Sequence, residues 1–450
     1  MRALVVVVVV AFAALLLALF SIGGPPSVPS SSSEPQELRF KILEPGSAAV
    51  LRAFGARPLF DVDDAPLAAG GPDLSVWWSI ETADVETSMR DLVNLGASDV
   101  SLRPELVPAV LDFSADEADV VDGESCPIKT PSYDARQGYL GAIHVEAAWR
   151  LPGGRGQGVQ LADVEGDWNA KHEDTAPQTH VAGRKMGRSW SPHGTAVLGV
   201  VAAKDNGVGM TGIAPEIARI FTASLGNIGA ARALHEAAKA LSPGDVLIVE
   251  LHGPGPNSKG RGQQGYVAME WWQPEYEAIK WATTKGVVVV EAAGNGSEDL
   301  DAKVYRDRFN REFRDSGAIL VGAGAPDGDG VPARSRLGFS NFGSRLDVQG
   351  WGGSVATLDY GDLQGCSDAS RKYTARFSGT SSASPVVAGA AVVVQGAYAA
   401  KKGARLSPIE LRSVLTVTGQ QQTSSSTAPS KQHIGPLPDV ARALSVLAIE

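Results

Sequence analysis

From about Pro131 onward, apolar runs alternate with stretches of small residues, and this alternation limits the fold more than any other feature of the chain. Five runs, at 159–164, 217–222, 246–251, 287–291 and 319–321, are apolar and rich in β-formers. Such runs suit strands buried on both faces of a parallel sheet. Helical stretches at 230–240 and 276–284 lie between several of them. The expected class is therefore α/β, a parallel sheet flanked by helices, over residues 131–450. The final helix starts at Ser407, Pro408 and Glu410, as N-cap, first-turn proline and box partner. No internal repeat interrupts the pattern.

The first 130 residues have a different texture. Residues 1–23 hold Arg2, an uncharged apolar run at 4–20 and the small residues Ser21, Ile22 and Gly23. That is the layout of an export signal peptide, with a retained N-terminal anchor as the alternative. Residues 24–36 form a Pro/Ser-rich linker. Residues 37–111 read as a small α+β segment, with strands at 38–43, 74–80 and 99–102 and a helix at 82–95. Residues 112–130 begin with a run of acids, a solvated boundary and candidate processing region. The net charge of -10 gives no reason to expect a nucleic-acid partner. The two cysteines, Cys126 and Cys366, allow one intramolecular pair and no disulfide scaffold.

Four stretches carry chemistry. Asp163 ends an apolar run, where open parallel sheets place their sites, and Glu165 and Asp167 compete with it for any acid role. His193 opens a helix of small residues behind Pro192 and suits proton transfer near neutral pH. Asn295 sits in a Gly-Asn-Gly turn after a strand, and its amide can donate to a developing oxyanion. Ser381 lies in the run from Phe377 to Pro385, ahead of a small, apolar helix. The free N–H groups and dipole of a helix start favour negative charge there. Each residue alone has an ordinary reading as a turn former, a packed histidine or an N-cap.

Together, the order Asp163, His193, Asn295, Ser381 resembles the subtilisin-like serine peptidases. The specific motifs are His193-Gly194-Thr195 and Gly379-Thr380-Ser381-Ser382-Ala383-Ser384-Pro385, with Ala293-Gly294-Asn295 in support. The likeness runs from about Gln137 to Leu447. It implies an exported endopeptidase working through an acyl-enzyme, secreted or periplasmic, or else membrane-anchored with its peptidase domain outside the cytoplasm. In that reading Ser381 is the nucleophile, His193 its base and Asp163 the residue that orients His193. Asn295 and the Ser381 N–H bind the oxyanion. The substrates are proteins or peptides, lying along the wall Glu250-Leu251-His252-Gly253 as an added strand. Residues 37–111 become a propeptide that inhibits its own enzyme, and Cys126 is placed to pair with Cys366.

The chemistry needs no cofactor. A structural calcium ion is the one ligand the resemblance implies, with Asp174 and Asn206 among its oxygen donors. The chain departs from the family pattern after Asp163, where Val164 and Glu165 replace a hydroxyl residue and glycine. That departure supports the rival reading of a pseudopeptidase that binds peptides without cutting them. An α/β-hydrolase esterase is disfavoured because Ser381 lies in no Gly-x-Ser-x-Gly elbow. A zinc peptidase is disfavoured because His235-Glu236 lacks a second histidine one turn on.

Overall fold

A computed structural model describes residues 34–43, 48–61, 70–111, 126–328 and 330–449. The signal or anchor run at 4–20, most of the linker and the acidic stretch at 112–125 lie outside these residues. The chain divides into two units: Met1–Asp63 with Asp73–Arg103, and Asp64–Pro72 with Pro104–Glu450.

The first unit is a four-stranded antiparallel sheet in the order Arg57–Pro58, Trp77–Thr82, Gln36–Lys41, Ser98–Leu102. Leu38 and Phe40 alternate inward from its central strand and pack with Leu51, Trp78 and Leu92. Two expected elements start later than their apolar content suggests. Leu74–Val76 is a 3-10 turn capped by Asp73, and the strand begins at Trp77. The helix begins at Val85 because Asp84 accepts the Thr87 N–H at 3.0 Å and fixes the N-cap there.

The second unit is built on a seven-stranded parallel sheet. Its strand order is Val348–Trp351, Ile319–Gly324, Val288–Ala292, Val246–Val249, Gln160–Glu165, Arg219–Ser224, Gln178–Ala182. Helix Thr380–Lys402 packs on this sheet. It is long and apolar enough to cross a membrane, but 83% of its most apolar window is buried, which makes it a core helix. The expected helix at 230–240 is Ala230–Ala240, and the one at 276–284 starts earlier, as Gln273–Thr284. Helix Pro408–Thr418 carries the expected capping box, and a further helix, Val440–Val446, follows it.

The run at 246–251 is two strands. Val246–Val249 stays in the parallel sheet. Leu251–Pro254 leaves it and forms a three-stranded antiparallel sheet with Tyr266–Ala268 and Val107–Pro108. That pairing places Pro104–Leu111 with the second unit, whereas composition alone extends the first segment to residue 111. Backbone bonds to Leu251 and His252 outweigh the compositional likeness of 104–111 to what precedes it.

Candidate active site

The chemistry gathers at the C-terminal ends of the parallel strands, where the sheet opens. Strand Gln160–Glu165 carries Asp163 and Glu165 on one face, because side chains two residues apart project the same way. They do different work. Glu165, the last residue of the strand, hydrogen-bonds His193 Nδ1 through Oε2 and accepts the Gly166 N–H at 2.8 Å through Oε1. Asp163 sits one pleat deeper and accepts the Trp168 indole N–H at 2.6 Å. The structure therefore puts Glu165, not Asp163, against the histidine. A carboxyl one methylene shorter and two residues back lies away from the strand end. Burial, then the adjacent Glu165 charge, pushes the Asp163 carboxyl well above its usual range.

His193 lies in the first turn of helix Ser191–Ala202, with Pro192 beside it. A Cβ at Gly194 would fall 2.5 Å from the Asp167 carbonyl, so only glycine lets this turn approach the loop after the acid strand. Phe377 packs edge-on against the imidazole, 5.6 Å between centroids. Nε2 of His193 is buried and makes no hydrogen bond.

Ser381 occupies the second position of helix Thr380–Lys402. Its Oγ donates to the Glu250 carbonyl at 3.2 Å. Gly379 precedes the helix with φ +98°, and a Cβ there would meet the Ala109 carbonyl oxygen at 2.2 Å. Glycine is required on both counts. Asn295 is pinned through its side-chain oxygen by the Thr380 N–H at 2.9 Å and the Thr380 hydroxyl at 2.8 Å. Its Nδ2 is thereby turned outward, where it bonds Gln263 Oε1 at 3.0 Å.

The chain's own residues 107–111 run through this site. Val107 and Pro108 pair antiparallel with His252 and Leu251. The Ala109 N–H donates to the Glu250 carbonyl at 2.7 Å, and the Ser381 N–H donates to the Ala109 carbonyl at 3.0 Å. Gln263 Nε2 holds the next carbonyl, that of Val110, at 2.7 Å. A cleft of about 520 Å³ beside this segment is lined by Pro108, Val110, Trp190, His193, Gln263 and Tyr360, among others.

Of the wall residues, Leu251, His252 and Gly253 form the strand that receives this segment, and Glu250 offers it a carbonyl. The Glu250 carboxyl is fully buried without a hydrogen bond, and burial, then Asp163 and Glu165, raises it well above the usual range. Asp174 and Asn206 are side by side, but Asn206 Nδ2 donates to one Asp174 oxygen at 2.9 Å and the Met210 N–H to the other at 2.8 Å. Among the described residues no group of three or more His, Cys, Asp and Glu side chains is placed to hold a metal ion. Cys126 and Cys366 are joined as a disulfide.

Glu165 had a sequence signal, since it stands at the end of the same strand as Asp163. Gln263 had none: it lies in an irregular loop and acts only through the fold.

Comparison with known proteins gives the family. The profile of the Subtilase family matches residues 156–433, more than half of the chain. The chain belongs to that family and is a serine-type endopeptidase. It is 29% identical over 255 residues to Subtilisin DY of Bacillus licheniformis, covering 55% of this chain and 80% of that one. It is 30% identical over 259 residues to the Extracellular protease of Xanthomonas campestris, covering 54% of this chain but only 38% of that protein. The epidermin leader peptide processing serine protease of Staphylococcus aureus shares the fold, with a TM-score of 0.58 at 17% identity over 92% of this chain and 99% of that one.

Proposed function

We propose that this chain is an exported subtilase precursor that cuts peptide bonds through an acyl-enzyme, with Ser381 as nucleophile, His193 as base and Glu165 as the residue that orients it. The hydrogen bond between Glu165 and His193 Nδ1 carries the assignment of the acid. It leaves Nε2 for the nucleophile, as the triad's division of labour requires. Ser381 Oγ attacks the substrate carbonyl carbon, and its proton passes to His193 and then to the leaving amine. Water hydrolyses the ester and restores the serine hydroxyl. The Ser381 N–H and the Asn295 amide receive the oxyanion, Nδ2 exchanging Gln263 for substrate.

Residues 37–111 act in this reading as the chain's own inhibitor. The support is the bonding of residues 107–110 along the wall strand and at the Ser381 N–H, the course an extended peptide substrate takes. Export is inferred from the apolar run at 4–20 behind Arg2 and from a relative named as an extracellular protease.

The test is labelling of the processed protein with a fluorophosphonate, followed by peptide mapping. An adduct on Ser381 that is absent in Ser381→Ala is expected. A folded, processed protein that takes no adduct would replace this reading with the pseudopeptidase.

A further inference from the structure

Building on that reading, we infer that His252 closes the pocket for the residue before the cut, so that the enzyme cleaves after alanine-sized residues and its own processing bond is Ala109–Val110. The register supplies the first part of the argument. Ala109 is the residue whose carbonyl meets the Ser381 N–H, so it takes the place of the residue before the cut. Opposite residues of an antiparallel pair share a face, and so do residues two apart on one strand. Val107 lies opposite His252, and Ala109 lies two residues beyond Val107. The Ala109 methyl thus projects to the face that carries the His252 ring, as its diagonal neighbour. Large side chains reach across that separation.

The ring is also fixed in place. The Asn295 N–H donates to its Nδ1 at 3.1 Å, which ties the wall strand to the turn on the other side of Ser381. Tyr266 packs edge-on against it, 5.0 Å between centroids. His252 and Ala109 are both fully buried. A phenylalanine or leucine at position 109 would have to displace a ring bonded to the backbone beside the oxyanion site. The cleft next to the segment opens instead toward Val107, Pro108, Val110 and Leu111, and leaves those positions freer.

The cut breaks the bond between the Ala109 carbonyl carbon and the Val110 nitrogen. Ser381 Oγ takes the acyl group, and Val110 leaves as a free amine carrying the proton delivered by His193. Water then releases Ala109 as a carboxylate.

The experiment uses the full chain. N-terminal sequencing of the self-processed protein is expected to begin at Val110, and Ser381→Ala is expected to stay uncut. A peptide series differing only at the residue before the cut, Ala against Phe, is expected to show at least about a 100-fold preference in kcat/KM for Ala. His252→Gly is expected to erase or reverse that preference, and to restore processing of Ala109→Phe, which the parent enzyme processes slowly. A Phe peptide cut by the parent as fast as the Ala peptide overturns the inference without any variant, as does a first cut at another bond. Fluorophosphonate labelling run beside it separates the failures. Labelled Ser381 with no Ala preference sinks only the pocket, and an unlabelled, folded enzyme sinks the function itself.

Discussion

Two carboxyls on one strand, only a pleat apart, are separated by what each meets. Glu165 meets an imidazole and a backbone N–H, and Asp163 meets an indole N–H and lies buried beside the Glu165 and Glu250 carboxyls. The expected consequence is an inversion of the obvious mutagenesis. Glu165→Gln removes the charge that orients and stabilises imidazolium, and should lower kcat by about 10⁴-fold with little change in KM. Asp163→Asn keeps an acceptor for Trp168 Nε1–H and removes a carboxyl already pushed toward its neutral form, so kcat should stay within about tenfold of the parent. Steady-state kinetics on one good substrate checks both. A larger loss in Asp163→Asn than in Glu165→Gln would return the orienting role to Asp163.

At the scale of elements, five of the seven parallel strands were legible because burial on both faces leaves a run of β-formers, whereas Gln178–Ala182 is largely exposed and Val348–Trp351 is broken by Gln349 and Gly350, so neither leaves such a run. The helices at 230–240 and 408–418 were legible because of small-residue spacing or capping chemistry. The division at Glu250 was not. Val246 to Leu251 is continuously apolar apart from Glu250, and only the pairing partners show that the strand changes sheets there. His252 was visible as a wall residue, but its contact with Asn295 joins positions 43 residues apart. The same burial has a pH consequence. His252 is pushed from 6.5 down to about 3, first by burial and then by His193, so the native state refuses a proton that the unfolded chain accepts. The stability this group allows is whole above about pH 6.5 and is lost as the pH falls toward 3. Urea unfolding of the uncut Ser381→Ala precursor should therefore steepen its loss of stability below about pH 6.5, by at most about 1.4 kcal/mol per pH unit. His252→Gln in the same background should flatten that slope. Equal slopes would mean that His252 takes up its proton in the folded state.

Across the whole molecule, one covalent link would decide what stays together after the processing proposed above. The Cys126–Cys366 disulfide joins residues 240 apart, and Cys366 lies 15 residues before Ser381. A cut at Ala109–Val110 frees the chain on the Val110 side, and the disulfide then fastens the new N-terminal arm to the hairpin Val355–Leu358 with Tyr373–Phe377, whose last residue packs on His193. Closing so long a loop restricts the unfolded chain strongly, and losing the link should cost about 2–5 kcal/mol. The measurement is thermal and urea unfolding of Ser381→Ala with Cys126→Ser and Cys366→Ser together. The active double-serine enzyme is compared in parallel for its rate of inactivation by its own digestion. Stability should fall by that amount, and self-digestion should begin in the freed arm, because its disulfide to the segment before Ser381 has gone. Unchanged unfolding in the double variant would show that noncovalent contacts hold residues 126–133 without the link. Those contacts include the bonds from Arg371 to the Pro127 carbonyl at 2.6 Å, from Thr130 to Glu173 and from Tyr133 to Gln364, and they would then be what keeps the matured N-terminus beside the active-site hairpin.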